Sequence, residues 1–165
     1  MNTQIQFEWS VLMDKTLEVC REDELYRNYS VREKMLAFVY TFLQTMNTDE
    51  QKFVSLLQQQ HVPFFPYRDL QQLKNDFNGF VEELILEGTN SGEIQARPLI
   101  ANYYKSVLWN AFMAILYFWA KDNSELRENT DVMVEKTVHF TFDLLAPNAI
   151  DSGMDLVQHF LKLRK

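Results

Sequence analysis

At 165 residues the chain is sized for one domain, able to bury roughly 70% of its unfolded surface. With 47% hydrophobic residues, 14% aromatics and only 4 Gly and 4 Pro, it favours long helices over a many-turned sheet. Lys and Arg number 16 against 23 Asp and Glu, a net charge of −7, and no basic cluster is present to neutralise phosphates, so nucleic-acid binding by this chain is not expected.

Cys20 is the only cysteine, which excludes an internal disulfide and a cysteine-based structural zinc site. The first residues lack the basic patch and apolar core of a secretory signal. The most apolar run, 107–120, is interrupted by Asn110 and falls short of the ~20 residues a bilayer span requires. The expectation is a soluble, cytoplasmic protein that makes no membrane contact.

The helical period begins near Gln4 and runs to about Arg21, with Ile5, Trp9, Leu12, Met13 and Cys20 on one side. Glu22-Asp23-Glu24 reads as a solvated turn, since no apolar neighbours adjust those carboxylates for acid–base work. Ser30-Val31-Arg32-Glu33 is a capping box, opening a helix with Val31, Met35, Val39, Phe42, Leu43 and Met46 on its inner stripe. Thr48-Asp49-Glu50-Gln51 offers a second capping box for a shorter helix ending near Gln60.

Pro63-Phe64-Phe65-Pro66 breaks the chain. Phe64, Phe65 and Tyr67 are either a lid at a pocket mouth or core plugs where the chain turns. A long helix resumes from Tyr67, carrying Leu70, Leu73, Phe77, Phe80, Val81 and Leu84, with Gly92 as its C-terminal cap. Pro98 suits the first turn of the next helix, which reaches about Lys121. After Asp122-Asn123-Ser124 a further helix covers about Thr130 to Leu145 and stops before Pro147. Asp151 caps a last amphipathic helix with Leu156, Val157, Phe160 and Leu161 inside. The fold class is all-α, a single-domain bundle of about seven helices.

The segment 107–120 is apolar on every side for about four turns, whereas a surface helix keeps one polar face. Each large side chain left wet forgoes roughly 1.5–3 kcal/mol, and a symmetric partner is the simplest cover. The following helix keeps only the narrow polar strip Glu135, Lys136, His139 and Asp143. Both helices are therefore expected to pair with a second copy; the alternative is two central helices of a monomer. Asn102, Ser106 and Asn110 share one side, where Asn110 meets a polar ligand group, its own mate across a dimer axis, or an intrachain partner.

No phosphate loop, nucleophile elbow or zinc-protease pattern is present, so no enzyme and no cofactor are expected. Glu135, His139 and Asp143 share a helix face at four-residue steps, but no further ligand completes a metal set, and the strip reads as solvated ion pairing.

Several segments resemble the regulatory half of TetR-family regulators: 29–38 (Tyr29 to Phe38), 87–94 (Glu87 to Ile94), 118–124 (Phe118 to Ser124), 135–138 with 142–144, and Asp151-Ser152. The resemblance covers nearly the whole chain, and the order of the motifs is its specific feature. It implies a domain, 1–165, that binds an effector in an apolar internal cavity and dimerises through the helices at about 98–121 and 130–145. It also implies that the family's N-terminal helix-turn-helix is absent here, so the chain as it stands does not bind DNA.

The resulting expectation is a hydrophobic small-molecule effector and a homodimer. The candidate pocket lining is Trp9, Met13, Val39, Phe77, Phe80, Trp109, Asn110 and Phe112. The candidate interface is Val107, Ala111, Ala114, Phe118, Val134, Val138 and Phe142. The alternatives are a stand-alone lipid or isoprenoid carrier of the same fold, favoured if the last helix lies on lipid, and a purely structural dimer.

Overall fold

The structure is a computed structural model in which residues 3–58, 70–97 and 101–147 are described. Six α-helices lie among them, rather than about seven: α1 (Thr3–Glu22), α2 (Val31–Met46), α3 (Glu50–Gln58), α4 (Gln71–Ser91), α5 (Ala101–Trp119) and α6 (Glu128–Leu145). The expected last helix and the Pro63–Pro66 break fall outside the described residues. Among the described residues no helix is long and apolar enough to cross a membrane.

Local chemistry sets several helix ends. Ser30 Oγ accepts from the Glu33 N–H at 3.3 Å while Glu33 Oε2 accepts from the Ser30 N–H at 2.8 Å, the reciprocal cap expected at the start of α2. The Ser30 N–H first, and then the Ser30 hydroxyl that donates to the same Oε2 at 2.8 Å, hold the Glu33 carboxyl below its ordinary pKa. Gly92 ends α4 at φ 84°, in the left-handed region that favours glycine. α6 stops at Ala146, whose N–H reaches back to the Phe142 carbonyl.

The second expected capping box does not form. Asn47–Asp49 continues from α2 as a 3-10 turn, and Thr48 Oγ1 donates to the Thr45 carbonyl at 2.7 Å. The hydroxyl is used to close the previous helix, because a short polar side chain satisfies whichever backbone group lies nearest.

The α5–α6 loop is fastened by Asp122. Its Oδ1 accepts from Ser124 N–H and Oγ at 2.9 and 2.7 Å, and its Oδ2 accepts from Thr130 N–H and Oγ1 at 2.8 and 2.6 Å. Thr130 first, then Ser124, draw the Asp122 carboxyl far below the usual carboxylate range. Leu126 and Arg127 sit at positive φ, 51° and 59°. Arg127 is held there by its guanidinium, 4.5 Å over the Trp119 ring and hydrogen-bonded to the Trp119 and Asp122 carbonyls and to Glu50.

α1 packs along α2 and α4, α2 also lies on α6, and α5 packs on both α4 and α6. Their inner stripes meet in one core whose largest fully buried side chains include Trp9, Trp119, Phe38, Phe42, Phe77 and Phe112. Gly88 lets α4 come close to its neighbours: a Cβ there would lie 2.8 Å from two Ile94 side-chain atoms and 3.0 Å from Val31 Cγ2.

Candidate functional site

Trp9, Met13, Val39, Phe77, Phe80 and Phe112, all expected to line a pocket, are buried and converge in the core. Among the described residues their rings pack directly on one another. Phe77 and Phe112 stack at 4.6 Å, Phe38 and Phe80 stand 4.4 Å apart, and Phe42 meets Phe112 edge-on at 5.0 Å. Trp9 is filled against Phe53 at 5.2 Å and lies parallel to Phe42 at 6.5 Å. Ring pairs at these separations add attraction beyond the area they bury.

Trp109 is half-buried at the edge of this cluster, 5.6 Å from Phe77, with the Lys74 ammonium 5.9 Å from its ring centre. Asn110 does not join the pocket residues. It is exposed, as is Ser106, because the inner stripe of α5 is taken by Leu108, Phe112, Ile115 and Leu116. The side chain of Asn102 lies outside the described residues.

An apolar gap of about 10 Å3 remains between α2, α5 and α6, bordered by Val39, Ala111, Phe112, Val138 and Phe142. That is at or below the room one water needs. Pocket and interface candidates thus meet at a single seam.

The interface candidates divide. Val107, Ala111 and Ala114 are half-buried and Phe118 is exposed. Val134, Val138 and Phe142 are almost fully buried within the chain, so they cannot form a surface for a second copy. Their side chains occupy the inner stripe of α6, against α2 and α5. The apolar residues that α6 leaves open are Val132 and Phe140, 50% and 64% exposed, and α5 leaves Tyr103 open at 66%. Sequence periodicity missed Val132 and Tyr103; a helix apolar on all sides carries no phase to mark its outer face.

The polar strip on α6 has a partner on α2. Arg32 Nη2 donates to Asp143 Oδ1 at 2.6 Å, and Arg32 Nη1 lies 3.1 Å from His139 Nδ1. Among the described residues no group of three or more His, Cys, Asp or Glu is placed to hold a metal. Cys20 is buried, and desolvation raises its thiol pKa.

Buried polar atoms without a hydrogen-bond partner among the described residues include Trp9 Nε1 and Trp119 Nε1. A surface groove of about 280 Å3 lies between α1 and the α2–α3 turn, with Phe7, Val11, Leu12 and Phe53 as its apolar walls.

No curated protein and no solved structure matches the chain. A family model described as tetracyclin repressor-like, C-terminal domain, matches residues 34–161, which takes in most of α2 and all of α3 to α6, and with them the aromatic core apart from Trp9 and both open helix faces. The chain belongs to the tetracyclin repressor-like C-terminal domain family.

Proposed function

We propose that this chain is a regulatory, non-enzymatic domain that pairs with a second copy through α5 and α6 and takes up a hydrophobic small-molecule effector among α1, α2, α4 and α5. The observation that carries the reading is the apolar surface left open on two neighbouring helices. Tyr103, Val107, Ala114 and Phe118 on α5 and Val132 and Phe140 on α6 stay partly or largely wet in a single chain. Such a contiguous apolar surface marks an interaction site, and a two-fold axis covers the same patch on both copies. Asn110 and Ser106 on the outer side of α5 supply polar groups for pairing across that axis.

The effector half of the reading is supported by family membership and by the concentration of aromatic side chains in the core. Among the described residues the core rings pack on one another, so a ligand that enters between them selects a minor, opened arrangement. In a regulator that difference changes the relation between paired subunits. With a net charge of −7, the contribution of this chain is pairing and ligand response rather than contact with phosphates.

Native mass spectrometry combined with sedimentation tests the reading. A dimer that becomes monomeric in Phe118→Arg or Phe140→Asp, with unchanged helicity, agrees with it. One subunit per particle at every concentration refutes the pairing, and no stabilisation by any apolar compound refutes the effector site.

A further inference from the structure

The outer side of α6 carries an exposed histidine beside the open apolar face. His139 directly precedes Phe140, which is 64% exposed, and successive helical residues stand about 100° apart. A copy seated on Val132 and Phe140 therefore borders the imidazole. The ring is also held by α2. Arg32 Nη1 lies 3.1 Å from His139 Nδ1, and Arg32 Nη2 donates to Asp143 Oδ1 at 2.6 Å. The Arg32 side chain is 31% exposed, so this contact is partly withdrawn from water.

A guanidinium has N–H donors and no acceptor, and it does not give up its proton in a protein. His139 Nδ1 must therefore offer its lone pair to Arg32, which fixes the ring uncharged with its hydrogen on Nε2. A proton on Nδ1 removes that lone pair and sets two cations side by side. The other charged groups around the ring on α6 are Glu135, Lys136 and Asp143, two carboxylates and one ammonium. On α2, Tyr40 donates its hydroxyl to the Asp131 carbonyl at 3.3 Å. α5, which also packs on α6, has Lys105 as its one charged residue, and Lys105 is paired with Glu82 of α4. Arg97 is bound to the Leu145 and Ala146 carbonyls at the end of α6.

We propose that the Arg32–His139 contact makes the pairing of two copies sensitive to pH, the dimer being favoured while His139 is uncharged. The inference rests on the pairing reading and adds its regulation. Histidine is the side chain whose charge changes between about pH 5 and 8. In a separate copy a charged His139 ring can turn from Arg32 to water. Under a second copy that water is reduced, and a poorly hydrated charge beside a like charge is unfavourable. Separate copies therefore take up protons more readily than the pair. Acid shifts the balance toward separation, and pairing strengthens as pH rises.

The test is sedimentation velocity of the full chain at several concentrations between about pH 8 and pH 5.5, above the ordinary titration of Asp and Glu. The dimer dissociation constant is expected to rise about fivefold for each histidine on acidification, the worth of one neutral hydrogen bond, or roughly 25-fold for the two copies. His139→Gln keeps an amide oxygen that can accept from Arg32 but cannot take a charge. It should pair at the alkaline end and hold that strength at the acid end. A wild-type dimer equally tight at both ends overturns the pH link and leaves pairing standing. So does a dependence that His139→Gln retains, since His61, His159 or the terminal amine would then carry it. One subunit per particle at every pH overturns both. The wild-type series alone separates a flat dimer from a monomer, so the inference stays open to refutation whether or not the variant folds.

Discussion

Lys34 of α2 and Glu87 of α4 form an ion pair 2.5 Å long, with the lysine side chain 9% exposed and the carboxylate 46%. The Lys34 ammonium also lies 5.7 Å from the centre of the Tyr26 ring, and burial raises the Tyr26 phenol pKa. Removing one partner strands a charge in a largely dry place, which costs more than the pair itself contributes. Because Glu87 is half in water, Glu87→Ala is expected to destabilise by about 1–3 kcal/mol. Lys34→Met, which removes the buried charge and keeps the stem's packing, is expected to cost less. Urea unfolding of both variants checks the order; a larger loss for Lys34→Met contradicts it.

The three described glycines of α4 and its end separate sterics from backbone. At Gly88 a methyl would press on Ile94 and Val31, so the ~1–3 kcal/mol of overpacking outweighs the ~1 kcal/mol that Ala gains over Gly in a helix. Gly79 has nothing within 4 Å of such a methyl, and Gly79→Ala is expected to stabilise by up to ~1 kcal/mol. Gly92 has equal room but φ 84°, so Gly92→Ala is expected to lose about 1–2 kcal/mol. Thermal melts of the three variants read all three signs, and Ile94→Ala should rescue Gly88→Ala.

Asp122 makes the loop between α5 and α6 sensitive to acid. Its folded pKa is depressed by Thr130 and Ser124, so its contribution is present above the unfolded value of about 3.9 and is lost as pH falls through the folded one. Asp122→Asn is expected to melt lower than the wild type at neutral pH and to show a shallower loss of stability on acidification. Melting curves between about pH 7 and pH 3 follow the difference. Parallel curves for the two proteins would show that the four hydrogen bonds do not bind the ionised form selectively.

Phe112 touches Phe38, Phe42, Phe77 and Trp109 through its ring. Phe112→Ala is expected to cost about 3–5 kcal/mol. Phe112→Leu, which keeps most of the volume, should cost less. Equal losses in chemical denaturation would mean that ring geometry, rather than filled volume, holds this layer together.

Much of the fold was legible because its signals are local. The Ser30–Glu33 box, the glycine after α4 and the proline after α6 each act within a few residues, and all six helices, over the described residues, fall within four residues of where periodicity places them. The start of α3 lies within one residue of the expected one, but the Thr48 hydroxyl goes to the Thr45 carbonyl instead of capping α3, because two backbone partners are in reach and pattern alone does not choose between them. The inner stripes of α1, α2 and α4 were read correctly, since each alternates with charged positions that fix its phase.

Packing between helices settles the positions where that phase is missing. α5 and α6 are apolar around most of their circumference, so the sequence determined that they are buried on more than one side but not which side. Packing against α2 and α4 sends Val134, Val138 and Phe142 inward and turns Asn110, Phe118 and Phe140 out. The same holds for the aromatics: periodicity directs Phe77, Phe80 and Phe112 inward, yet whether inward rings leave a cavity or fill it depends on how rings from four helices interlock. Arg32 reaching His139 and Asp143 was equally invisible, because an ion pair between distant segments exists only once the helices that carry them are side by side.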